Sequence, residues 1–98
     1  MKTNKTEPQR RREERTPFIC DVLWSYASNP PLPQYEGTLV DISKMGIGML
    51  TQMKVKVART IRIYAKDLWQ SPRYATVMWC EEVSPNSYKS GLLFTGDF

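Results

Sequence analysis

The sequence predicts an all-β protein: a small six-stranded antiparallel β-barrel with a flexible basic N-terminal arm and little or no C-terminal helix. Three observations predict it. Apolar and polar residues alternate with a period of two in six short runs. Pro, Gly, Asn and Ser punctuate the gaps between the runs. No stretch carries helical periodicity over a convincing length. The chain has 98 residues, room for one domain. Short antiparallel strands in so small a domain lose their exposed edges by closing into a barrel.

The arm comes first. Residues 1–16 are polar and show no apolar periodicity. The Thr16-Pro17 step disfavours helix at Thr16 and marks the start of the barrel, residues 17–98. From Phe18 to Tyr26, Phe18, Cys20, Val22, Trp24 and Tyr26 share one face of a strand, and Ile19, Asp21, Leu23 and Ser25 the other. Asn29-Pro30-Pro31-Leu32-Pro33 reads as a loop, because proline cannot donate to a ladder. Tyr35 to Ser43 is the second strand. If Val40 and Ile42 face inward, Asp41 and Ser43 lie side by side on the outer wall. Gly46 and Gly48 allow a tight turn and close backbone approach, and a third strand runs from about Ile47 to Thr51.

In the fourth strand, Thr60–Lys66, Ile61, Ile63 and Ala65 alternate with Arg62, Tyr64 and Lys66. Leu68 to Arg73 is a loop containing Pro72. Tyr74 to Val83 is a longer strand, Ser84-Pro85-Asn86-Ser87 a turn, and Tyr88 to Phe94 the last strand.

Charge is unevenly spread. The net charge is +4. Residues 1–15 hold six basic residues (Lys2, Lys5, Arg10, Arg11, Arg12, Arg15) against Glu7, Glu13 and Glu14, a net of +3. The excess on the arm points to an anionic partner. The chain has no histidine, which removes Ser-His-Asp and Cys-His catalysis and most zinc sites. No phosphate-binding glycine loop and no metal-ligand cluster is present. Binding is therefore expected rather than catalysis, with no metal and no cofactor. Cys20 and Cys80 each fall in a hydrophobic strand pattern and read as buried free thiols. Charge from Lys2 onward and the lack of an apolar leader argue against a secretory signal, and no apolar run reaches spanning length. A cytoplasmic protein without membrane insertion is expected.

Two motifs carry chemistry. Arg11-x-x-x-Arg15 offers guanidinium forks, which match phosphate oxygens or the O6/N7 edge of guanine with paired hydrogen bonds. Asp41-x-Ser43-x-x-Gly46 offers a carboxylate that can accept from a guanine N1–H and N2–H₂ edge, beside a hydroxyl. Each has a bland reading: a solvated arm with weak Glu–Arg pairs, and a turn whose Asp or Ser bonds local backbone.

Together, and in this order, the motifs resemble the PilZ domain family. Arg11-x-x-x-Arg15, Thr16-Pro17-Phe18, Asp41-Ile42-Ser43-Lys44-Met45-Gly46 and Gly91-Leu92-Leu93-Phe94 carry the resemblance, which runs from about Arg10 to Phe94. It implies a bacterial six-stranded barrel that binds the second messenger cyclic di-GMP and relays the signal to a partner protein in motility, pili, exopolysaccharide or virulence control. By the resemblance, Arg11 and Arg15 grip phosphates and guanine edges, Asp41 and Ser43 bond a guanine, and Gly46 lets the backbone come close. Arg10, just before the motif, favours a stacked ligand pair over a single ligand. Many family members add a helix after the last strand; with Phe98 as its last residue, this chain is expected to lack one or to have a very short one.

Trp79, in Val77-Met78-Trp79, resembles a strand tryptophan placed near the bound base in some members. Its parity with Val77 favours the core instead. Trp24 and Trp69 carry no functional signal. Lys54, Lys56, Arg59, Arg62 and Lys66 read as solvated surface. Two rivals remain. A small basic β-barrel could bind RNA or single-stranded DNA through its arm and aromatics, although the positive excess is confined to the arm. An adaptor without ligand is the other, and the intact motifs speak against it.

Overall fold

The computed structural model describes residues 14–95. Six strands follow in order: β1 (Thr16–Tyr26), β2 (Tyr35–Ile42), β3 (Gly46–Thr51), β4 (Thr60–Tyr64), β5 (Arg73–Ser84) and β6 (Ser87–Phe94). They pair antiparallel in the order β1-β2-β3-β6-β5-β4, and β4 returns to β1 to close the barrel. Among the described residues there is no helix, and none long and apolar enough to cross a membrane.

The core fills the barrel. Trp24, Leu39, Ile47, Met49, Ile61, Ile63 and Val77 are fully buried, and Val55 reaches in from the β3–β4 loop. Alternation accounts for most of them, since inward residues recur every second position. Trp24 packs edge-on against Tyr26, with ring centroids 5.3 Å apart, and against Tyr35 at 4.7 Å. At the tip of the β5–β6 hairpin, Asn86 takes a left-handed φ of 61°, a conformation that asparagine tolerates.

Bulges correct the simple count. The β2–β3 register slips between Leu39 and Asp41, so Val40 is an extra residue. Leu39 rather than Val40 is the fully buried aliphatic residue, while Asp41 still faces outward opposite Gly48. The β5–β6 register slips between Val77 and Trp79, leaving Met78 unpaired. Val77 stays inside, and Trp79 therefore turns outward, 45% exposed. Its expected core placement is thus overturned. A third slip in β1, between Pro17 and Cys20, leaves Phe18 and Ile19 exposed.

Two further readings change. Arg62 is not solvated surface but 4% exposed. Its guanidinium donates to Ser25 Oγ (3.0 Å) and to the carbonyls of Pro30 (3.1 Å), Ala27 (2.9 Å) and Asn29 (2.6 Å). The proline loop folds over β4 and β1 and is pinned there by one arginine, whose desolvation these bonds offset. Cys20 and Cys80 are free thiols as expected, but half-buried rather than buried.

Candidate functional site

Four strands bring one level of the outer wall together. Asp41 on β2 pairs with Gly48 on β3, Gly48 with Gly91 on β6, and Gly91 with Trp79 on β5. Adjacent strands lie about 4.8 Å apart, so Asp41 and Trp79 stand roughly 14 Å from each other, with two glycines between them. A Cβ at Gly48 would lie 2.7 Å from Asp41 Oδ2 and 2.8 Å from Oδ1. At Gly91 a Cβ would run into the Trp79 indole. The carboxylate thus leans over one glycine and the indole over the other. The result is a shallow floor of two buried glycines, covered at one end by a carboxylate and at the other by an indole.

Arg15 joins this site from the segment just before β1. Its Nε donates to Asp41 Oδ1 at 3.2 Å, an ion pair as well as a hydrogen bond. Its Nη1 donates to Ser43 Oγ at 3.2 Å. Pro17, two residues on, pairs with Asp41, so the β1–β2 register delivers the guanidinium to the carboxylate. The pair is partly exposed, and a pair of that kind contributes at most about 1 kcal/mol to stability. Its interest is geometric: three of the motif side chains meet.

Ser43 is held from both sides. Its Oγ accepts from the Gly46 N–H (3.1 Å) and the Met45 N–H (3.2 Å), while its own N–H donates to the Gly46 carbonyl (2.9 Å). This is the local turn of the bland reading, and it fixes the hydroxyl beside Arg15. Gly46 is buried at the start of β3. A Cβ there would overlap the Leu92 carbonyl oxygen and lie 3.1 Å from Leu93 Cα. Close packing against β6 thus requires glycine at this position. Arg10 and Arg11 lie outside the described residues.

Sequence reading missed the glycine floor. A mid-strand glycine signals close approach of something to the backbone, and an aromatic side chain commonly covers a cross-strand glycine. Gly48 and Gly91 carried that signal, but seeing it requires the order in which β3, β6 and β5 pair.

A groove of about 670 Å³ adjoins the floor through Thr38 and Leu50. Asp21, Glu36 and Asp67 line it, with Lys66 as a single counter-charge. That lining repels phosphates, so the groove's volume does not mark it as a site for an anion. Among the described residues no group of His, Cys, Asp or Glu side chains could hold a metal ion.

Burial, then the carboxylates of Asp67 and Asp21, push the Cys20 thiol above its ordinary value. Cys20 is accordingly a poor nucleophile.

Compared with known proteins, the chain matches no family model and no curated protein sequence.

Proposed function

We propose that this protein is a PilZ-like receptor that binds cyclic di-GMP on its outer barrel wall and passes the signal to a partner protein. One observation carries the reading. Arg15 meets Asp41 and Ser43, which lie 26 and 28 residues further along the chain, within hydrogen-bonding distance, beside a glycine floor that ends in an exposed tryptophan. A cyclic dinucleotide offers matching groups: phosphates for guanidinium forks, a guanine edge for a carboxylate and a base face for an indole.

The proposed mechanism is an exchange of partners. Asp41 accepts from Arg15 Nε. A guanine N1–H and N2–H₂ edge competes for the same carboxylate. Arg15, released in whole or in part, turns its fork to a phosphate. Gly46 holds the Ser43 hydroxyl in place through its N–H. Trp79 stacks on a base face, a contact worth roughly 1–3 kcal/mol. Arg10 and Arg11 close from the arm, and Arg10 favours a stacked pair of ligands. Ordering the arm costs about 1–2 kcal/mol per fixed residue, which the charge-assisted bonds offset. The arm's new position is the signal. The cytoplasm of a bacterium is the compartment in which this messenger acts.

Calorimetric titration with cyclic di-GMP, with GTP and a short RNA as controls, tests the reading. Cyclic di-GMP alone should bind, with a stoichiometry near two if the pair is held. Arg15→Ala and Asp41→Ala should each weaken binding by about 1.5–3 kcal/mol, the worth of a charged hydrogen bond. Silence with cyclic di-GMP and salt-sensitive binding of RNA would instead support a nucleic-acid-binding barrel.

A further inference from the structure

We infer that Lys89 is a further anion-binding residue of this site, taking a phosphate of the dinucleotide at the side of the floor opposite the Ser43 turn. The inference rests on the cyclic di-GMP reading. Lys89 lies on β6, two residues before Gly91. Residues two apart on a strand share a face, about 7 Å from each other. Gly91 presents its bare face toward the Trp79 indole, on the outer wall. Lys89 therefore stands on the outer wall beside the floor, and its four-carbon stem is long enough to bring the ammonium over it.

Its neighbours leave that charge available. Leu50 on β3 and Glu81 on β5 are its cross-strand partners. Glu81 is the obvious counter-ion, and a surface pair would be the bland account of both residues. Among the described residues, however, Lys89 forms no ion pair, with Glu81 or any other carboxylate, and no side-chain hydrogen bond. On its far side, Leu50 and Ser87 border the acidic groove. Lys89 thus stands between an acidic groove and the floor.

The ligand's own charge calls for such a group. A cyclic dinucleotide carries two phosphates on opposite sides of its ring. Arg15 sits at one corner of the floor, next to Asp41 and Ser43. Lys89 lies across the floor from that corner, two residue rows beyond the two glycines and on the same face. An ammonium there serves the second phosphate as a point charge, without the fork geometry that a base edge needs.

The test is calorimetric titration with cyclic di-GMP at several salt concentrations. It compares the parent with Lys89→Ala, Lys89→Arg and, as a control on an exposed lysine of the groove, Lys66→Ala. Thermal melts confirm that each variant is folded. Lys89→Ala should bind about tenfold more weakly, with a shallower dependence of affinity on salt. Lys89→Arg should restore both, and Lys66→Ala should leave both unchanged. If the parent binds and Lys89→Ala matches it in affinity and salt dependence, the role of Lys89 is refuted and the receptor reading stands. Weaker binding with an unaltered salt dependence also overturns it, because loss of strand packing would produce that result. If the parent does not bind, both fall.

Discussion

Gly46 and Gly48 are two residues apart on one strand, yet replacing each by alanine should have very different effects. At Gly46 the new methyl overlaps the Leu92 carbonyl oxygen and lies 3.0 Å from the carbonyl carbon and 3.1 Å from Leu93 Cα. All three atoms are backbone of β6. Carbon contacts are comfortable near 3.5 Å, so β3 and β6 must part by about 1 Å or more. That displaces the bonds anchored at this corner, Phe94 N–H to Met45 C=O (2.8 Å) and Ser43 N–H to Gly46 C=O (2.9 Å). Two lost hydrogen bonds at about 1 kcal/mol each, with about 1–3 kcal/mol of overpacking, exceed the 0.5–1 kcal/mol that alanine gains over glycine. The net cost is about 3 kcal/mol. At Gly48 the nearest atoms to the methyl are all of the Asp41 carboxylate, 2.7–3.0 Å away at the end of a side chain that can rotate. Moving it loses a partly exposed ion pair worth at most about 1 kcal/mol.

Thermal unfolding followed by circular dichroism separates the two. A change of 1 kcal/mol shifts the midpoint of a domain this small by about 4–8 °C. Gly46→Ala should melt at least about 12 °C below the parent, and Gly48→Ala no more than about 8 °C below it. Equal midpoints, or a lower one for Gly48→Ala, would refute the assignment of Gly46 to barrel packing and Gly48 to the floor under Asp41.

Two other predictions concern groups away from the floor. Arg62→Met removes the donor shared by Ser25, Ala27, Asn29 and Pro30; it should cost about 3 kcal/mol in urea unfolding and make residues 27–33 the first site of limited proteolysis. Cys20 should alkylate more slowly in the native protein than in the denatured chain at pH 8, with peptide mapping separating it from Cys80. Its folded pKa lies above the ordinary 9.0, so the neutral thiol persists in the fold. The associated stability is fully present below pH 9.0 and is lost as pH rises through the folded value. A native rate equal to the denatured one would contradict this.

Strand identity was legible because alternation is a local property. All six runs were marked by period and punctuation, and their ends moved by only one or two residues, as at Thr16 and Arg73. Facing was less legible. Parity holds only while every residue is paired, and an extra residue such as Val40 or Met78 leaves no mark in the alternation. Counting therefore put Val40 inside in place of Leu39, and Trp79 inside when it is out. The burial of Arg62 was illegible for another reason. Its position on the outer face was read correctly, but the loop that covers it comes from more than thirty residues earlier in the chain. At the site, Arg15, Asp41 and Ser43 could be named from their motifs. The floor could not, because it arises from the pairing of β3 with β6 and of β6 with β5.

The spread of the floor over four strands has a thermodynamic consequence. Its residues belong to four separate strands, and no pair of neighbouring strands contains them all. Closing the seam joins Leu23–Tyr26 to Ile61–Tyr64, contacts that are distant in sequence and slow to form. A half-assembled sheet holds only part of the site. Recognition and the pairing of these four strands then become one equilibrium. A ligand of the floor at one hundred times its dissociation constant would add about 2.7 kcal/mol to unfolding, whereas opening the seam alone would leave these four strands paired with one another.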